Sequence, residues 1–195
     1  MRSSLLILSL LALVGCVPFM LESKQTYFPA EDYVFPLSDG WYSLGSMPGK
    51  PVSVSRRDGK IVISIHERRN HPPNDLIGGF IALSSSGFFI FQATDATEAG
   101  GKSEKTGDEA AYFLAHVSDG ETRWYTGPRR CEAECVSQLA ALGVSRDQDG
   151  DWHSRKPQSK EELRAFYEGV AAMIGADHIP ENWEADLMRK ISAGG

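Results

Sequence analysis

Between residues 41 and 126 apolar and polar positions alternate with a period of two, which predicts a run of half-buried strands. Val52-Ser53-Val54-Ser55-Arg56 and Ile61-Val62-Ile63-Ser64-Ile65-His66 flank Asp58-Gly59. That dipeptide suits a type I′ hairpin turn, whose two central residues both need positive φ. Residues 80–84 and 88–94 flank Ser85-Ser86-Gly87, and residues 111–117 and 122–126 flank Ser118-Asp119-Gly120-Glu121. With a short strand over 41–44 this makes about seven strands in sequential hairpins, an antiparallel meander that is twisted or partly closed into a barrel.

Phe88-Phe89-Ile90-Phe91 departs from the alternation. Successive side chains of a strand point to opposite faces, so four apolar residues in a row need cover on both sides. Helices on one face and the rest of a curled sheet on the other supply that cover. That is the favoured reading; an apolar lumen holding a small hydrophobic ligand is the alternative. Residues 95–109, with Gly100, Gly101 and Gly107 and no aromatic, interrupt the meander and read as a mobile insertion.

Beyond Gly127-Pro128 the period lengthens to that of a helix. Cys131, Cys135, Leu139 and Leu142 fall four, four and three apart, with Gly143 as the stop. Residues 144–146 and 152–154 read as a small hairpin around Asp147–Asp151. Ser159-Lys160-Glu161-Glu162 is a capping box, followed by the stripe Leu163, Phe166, Tyr167, Val170 and Ile174 and closed by Gly175. A third helix is expected after Pro180, with Trp183, Leu187 and Ile191 as its stripe. The fold class is therefore α+β, an antiparallel β-meander followed by C-terminal helices that cover one sheet face.

The start of the chain follows another pattern. Met1-Arg2-Ser3-Ser4 is short and basic, residues 5–14 are apolar except Ser9, and Gly15-Cys16 follows. This is the anatomy of a secretory signal. The stretch is shorter than the ~18–20 apolar residues of a membrane-spanning helix, and no later stretch approaches that length. Leu13-Val14-Gly15-Cys16 resembles the lipobox of bacterial lipoproteins. The resemblance implies cleavage between Gly15 and Cys16 and a diacylglycerol on the Cys16 thiol, usually with a further acyl chain on the new N-terminus. Two or three chains hold a protein on a membrane stably where one holds it marginally. Val17 stands where an Asp would retain such a lipoprotein in the inner membrane of enteric bacteria, so the pattern favours the outer membrane. The expected organisation is a signal peptide over 1–15, a lipidated N-terminus and tether over 16–31, and a single α+β domain over 32–195. Within that domain the meander occupies 41–126 and the helical part 131–191.

Charge and cysteines refine this reading. The net charge of −6 over 195 residues excludes a general nucleic-acid binder, since no basic excess exists to neutralise phosphates. Loss of residues 1–15 removes Arg2 and takes the charge from −6 to −7. Such a domain is not drawn onto anionic headgroups by its own field and is expected to stand off on its tether. With Cys16 lipidated, Cys131 and Cys135 remain as a pair outside the cytoplasm, where disulfides persist. Residues four apart on an ideal helix hold their Cβ atoms ~5–6 Å apart, whereas a disulfide needs about 3.5–4.5 Å. A bond between them therefore requires the helix to start late or to distort through Glu132-Ala133-Glu134.

The remaining motifs fall short of a chemistry. His66-Glu67-Arg68-Arg69-Asn70-His71 has Asn70 where a zincin helix needs its second histidine. Asp147-Gln148-Asp149-Gly150-Asp151 begins like an EF-hand loop, but Trp152 stands at its glycine position and Gln158 at its final glutamate. His116 and His153 are single histidines in strand-like segments, and Ser84-Ser85-Ser86-Gly87 reads as turn chemistry. No catalytic, cofactor-binding or metal-binding set is expected.

The sequence thus reads as a lipid-anchored, non-enzymatic accessory or interaction domain of the bacterial envelope, facing the periplasm. Its expected partners are the membrane, through the N-terminal lipid, and another envelope protein. The alternative is a lipocalin-like β-barrel that binds a small apolar ligand. Asp39-Gly40-Trp41-Tyr42 resembles the Gly-x-Trp of the first lipocalin strand, here with Gly directly before Trp, and some lipocalins are bacterial lipoproteins.

Overall fold

The computed structural model describes residues 18–66, 72–97, 103–104, 109–176 and 182–191. In chain order the strands are β1 (Leu21–Ser23), β2 (Gly40–Leu44), β3 (Pro51–Arg57), β4 (Lys60–Ile65), β5 (Asn74–Ala82), β6 (Phe88–Thr97), β7 (Ser103–Glu104), β8 (Ala110–Ser118), β9 (Glu121–Pro128), β10 (Val144–Arg146), β11 (Trp152–Ser154) and β12 (Trp183–Lys190). Two α-helices are described, α1 (Ala133–Ala141) and α2 (Lys160–Ala176). Strands β2 to β6 form a meander in which each pairs antiparallel with the next; β6 pairs with β8, β8 with β9, β9 with β12, and β12 returns to β2. The meander is therefore a closed eight-stranded barrel rather than a partly closed one.

The turn chemistry acts as the sequence requires. Asp58 and Gly59 take φ of 50° and 73°, and Asp119 and Gly120 take 33° and 82°. These are the paired positive values of a tight hairpin. Both hairpins, together with the turn after β5, lie at one end of the barrel. The opposite end carries the β2–β3 loop and the long excursion that leaves β9 and returns at β12.

The strand that closes the barrel, β12, occupies the stretch expected as a third helix. Its register with β9 runs from Trp183 opposite Pro128 to Arg189 opposite Glu121, with a bulge between Glu184 and Ala185. Positions 183, 187 and 191 share a helix stripe, but their even spacing also puts them on one face of a regular strand. The free edges of β9 and β2 decided between the two, because a barrel lacking one strand leaves both edges unpaired.

The stretch read as a tether is likewise part of the domain, as far as it is described. Phe19, Leu21 and Phe28 are buried, and β1 pairs with the start of β8, Leu21 opposite Tyr112. Phe19 N donates to Thr126 O, and Val34 N donates to Phe80 O, so residues 18–37 form a strap across the barrel wall. Three polar side chains hold it, Tyr112 and Gln92 on the outer face of the barrel and Tyr167 on α2. The Tyr112 hydroxyl accepts from Tyr27 N and donates to Gln25 O. Gln92 grips Phe28 and Tyr33, and the Tyr167 hydroxyl lies 3.0 Å from Phe19 O and 2.8 Å from Tyr112 O. Burial raises the pKa of all three tyrosine hydroxyls, Tyr33, Tyr112 and Tyr167, and so keeps them neutral.

The wall under the strap is covered by the helices. In α2 the stripe Leu163, Phe166, Tyr167, Val170 and Ile174 is buried against Phe88, Ile90, Tyr112 and Leu114 of β6 and β8. Glu162 N donates to Ser159 Oγ at 3.1 Å, one half of the capping box; the Glu162 carboxylate takes Gln158 N instead of Ser159 N. Helix α1 stops before Gly143, whose φ is +83°. The consecutive apolar residues of β6 thus divide: Phe88 and Ile90 face the helices, while Phe89 and Phe91 face the barrel interior. Of the segment read as a mobile insertion, Asp95–Thr97 extend β6, and Ser103 and Glu104 pair with Thr97 and Ala96; residues 98–102 and 105–108 lie outside the described residues.

Candidate functional site

Strand parity decides what the barrel encloses. Tyr42 of β2, Val52 and Val54 of β3, Ile61, Ile63 and Ile65 of β4, Phe80, Phe91, Phe113 and Met188 turn inward and are buried. In this interior the Phe80 ring stands 4.8 Å from Phe91 and 5.7 Å from Trp124, and Phe91 stands 5.6 Å from Trp124. Tilted and edge-on rings at these separations attract one another. Leu44, Met47, Leu76, Phe89 and Trp124 belong to the same interior yet are only half-buried. An eight-stranded barrel has an interior that its own side chains fill, or that admits one small ligand.

The two ends differ. At the hairpin end the strap inserts Leu37 among the interior side chains, where Arg56 Nη2 donates to Leu37 O at 3.3 Å. The Tyr42 hydroxyl donates to Ser38 O at 2.7 Å beside it. At the other end the β2–β3 loop is latched to β12. Gly45 N donates to Leu187 O, and the Asp186 carboxylate accepts from both Ser46 N and the Ser46 hydroxyl. Met47, carried by that loop, packs on the interior. Thr122, opposite Val117 and Met188, adds a hydroxyl to the enclosed side; it is fully buried and its Oγ1 has no hydrogen-bond partner.

These lining residues lay within the period-two segment, except Leu37, which the strap supplies, and Met188, which belongs to the strand read as a helix. Trp124 was legible from the alternation Thr122-Arg123-Trp124-Tyr125, which sends Thr122 and Trp124 to one face and Arg123 and Tyr125 to the other.

The histidines are not brought together. The His66 ring lies 4.9 Å from Trp41, with Nε2 2.9 Å from Ser53 Oγ, on the outer wall of β2–β4. His116 packs 4.7 Å from the Phe88 ring, and burial, aided by the positive charge of Arg123, lowers its pKa. His153 sits on the separate β10–β11 hairpin, 2.8 Å from Asp147 Oδ2. Residues 67–71 of the zincin-like segment lie outside the described residues. Asp147 Oδ1 accepts from Asp149 N and Asp151 N at 2.9 Å each, and Gly150 takes φ of +91°. The EF-hand-like residues therefore spend their first carboxylate on a hairpin turn, and the hydrogen bond to His153, then that from Asp151 N, lowers the Asp147 pKa. Among the described residues no group of three or more His, Cys, Asp or Glu stands together as a metal-ligand set.

Cys131 and Cys135 stand at disulfide distance, Sγ–Sγ 2.02 Å and Cα–Cα 5.2 Å. Helix α1 starts late, at Ala133, and Glu132 before it has extended backbone with ψ of 177°. That departure from helical geometry brings Cys131 closer than an ideal helical turn allows. Gly15 and Cys16 lie outside the described residues. No family model, no curated protein and no solved structure matches the chain.

Proposed function

We propose that this is a lipid-anchored envelope protein, held by acylated Cys16 and facing the periplasm, whose barrel binds a small apolar ligand. The observation that carries the reading is the closed barrel with an apolar interior, in which inward-facing Trp124, Phe89 and Leu76 are left half-buried. Contact with an apolar ligand removes that remaining surface from water, at about 25 cal/mol per Å². The unsatisfied Thr122 hydroxyl offers one polar partner inside the same interior. In this reading the protein binds and does not catalyse.

Native mass spectrometry of the full chain, released from detergent micelles, tests it. The acylated protein is expected to carry one additional non-covalent mass in the range of a small apolar molecule. Leu76→Trp, which fills the end away from the hairpins, is expected to lose that mass while keeping the acyl mass on Cys16. A native chain that flies without any adduct would remove the ligand reading.

A second reading, the accessory or interaction domain, draws on the outer wall. Trp41 and Ile191 are exposed side by side, joined by Ile191 N donating to Trp41 O at 2.9 Å. In vivo cross-linking from position 41 that captures the same envelope protein in the native chain, but not in Ile191→Ser, would favour it.

A further inference from the structure

The seat of Pro18 determines how far a lipid on Cys16 can hold the domain from its membrane. Pro18 is buried. A Cβ added to Gly127 would lie 2.9 Å from its ring, and the Ser154 hydroxyl donates to its carbonyl. Phe19, next in the chain, is wholly buried and hydrogen-bonded to Thr126. The chain from Cys16 to this fixed point is two residues, which span at most about 7 Å. A stalk of that length cannot separate a domain from the headgroups. The part of the domain around Gly127 and Ser154 must then lie at the lipid surface.

The residues exposed there suit that surface. Arg129 and Arg130 follow directly from the end of β9, and Arg155 and Lys156 directly from the end of β11; all four are exposed. The acidic side chains closest to them are Glu132 and Glu134, exposed just beyond Arg130, Glu184 of β12, opposite Gly127, and Asp151, just before β11. A chain that is acidic as a whole therefore presents four exposed basic side chains where its anchor is seated, among about as many acidic ones. Basic side chains within a Debye length of an anionic leaflet are drawn to it, whatever the net charge of the far side.

We propose that the face formed by the ends of β9 and β11, with Arg129, Arg130, Arg155 and Lys156, rests directly on the bilayer, docked by Cys16 rather than suspended from it. The inference rests on the acylation of Cys16. It replaces the stand-off geometry expected from net charge. It also places the barrel end bearing Leu44, Met47 and Leu76 on the side nearer the lipid.

The test compares the full acylated chain with a variant carrying a twelve-residue Gly/Ser insertion between Val17 and Pro18. Both are reconstituted in vesicles of phosphatidylcholine and phosphatidylglycerol, which contain no primary amines. A water-soluble amine reagent reads each lysine against itself. Lys156 is expected to react several-fold more slowly in the native chain than in the insertion variant, while Lys60 and Lys190 react alike in both. Equal Lys156 rates in the two acylated proteins would overturn the docking and leave the anchor intact. Absence of acyl mass on Cys16 would overturn the anchor and the docking together.

Discussion

Gln92 and Phe28 are joined by two hydrogen bonds, Phe28 N donating to Gln92 Oε1 at 3.0 Å and Gln92 Nε2 donating to Phe28 O at 2.7 Å. A side-chain amide thus pairs with a backbone peptide much as a neighbouring strand would. The second proton of Nε2 goes to the Tyr33 hydroxyl at 2.6 Å. Gln92 is fully buried, so none of these groups has water as a substitute partner. Gln92→Leu keeps the volume and orphans the Phe28 N–H and carbonyl together with the Tyr33 hydroxyl. Urea unfolding should show a loss of about 2–4 kcal/mol, since each abandoned buried group costs roughly 1–3 kcal/mol and some will relax toward solvent. A loss below ~0.5 kcal/mol, within the range of surface substitutions, would mean that the strap contributes little to the fold.

The strap explains where the sequence was silent. A chain that wraps a barrel touches it with isolated side chains, so Phe19, Leu21, Phe28 and Leu37 follow no period, and their polar anchors Gln92, Tyr112 and Tyr167 look like ordinary members of amphipathic elements. The strands with a partner next to them in sequence were legible because turn and alternation agreed, as at Asp58-Gly59. Strand β12 has both its partners far away in sequence, and Glu184-Ala185-Asp186-Leu187-Met188-Arg189-Lys190 is composed largely of good helix formers. Local preference pointed one way there and the open seam of the barrel pointed the other. The apolar interior was visible as one of two explanations for Phe88-Phe89-Ile90-Phe91. The division of those residues between helices and lumen shows that each face has its own cover.

Thr122 carries a buried hydroxyl without a partner, enclosed by the barrel opposite Val117 and Met188. Thr122→Val replaces the hydroxyl by a methyl of nearly the same shape. It should therefore stabilise the ligand-free protein by about 1 kcal/mol, the cost of an unmet hydrogen bond being removed without opening a cavity. The midpoint of denaturant unfolding reads this directly. A less stable variant would show that the hydroxyl is satisfied in solution, by water or by a bound molecule.

Gly79 has a packing reason to be glycine. A Cβ there would lie 2.1 Å from Cγ of Tyr33, whose ring lies against the strand. Gly79→Ala should cost about 1–3 kcal/mol, the usual range for forcing a methyl into a packed site. The displaced ring also pulls on Gln92. In the Tyr33→Ala background the same Gly79→Ala change should cost much less, and the difference in a double-mutant cycle measures the contact. Equal costs in both backgrounds would place the effect in the strand backbone instead.

His116 gives stability a dependence on pH whose sign is set by its surroundings. Burial against Phe88, and secondarily the positive charge of Arg123, holds its pKa below the ordinary 6.5. The unfolded chain therefore binds a proton at a pH where the folded protein does not. Above that ordinary value both states are neutral at this position and it contributes no pH dependence. As pH falls through 6.5 toward the lower folded pKa, protonation pulls the equilibrium toward the unfolded state and stability declines. His116→Gln removes the titrating group. Unfolding measured at about pH 7.5 and about pH 5.5 should then show a smaller loss in the variant than in the native protein. A loss of the same size in both would show that the pH dependence lies in other groups and that His116 remains accessible to protons in the folded state.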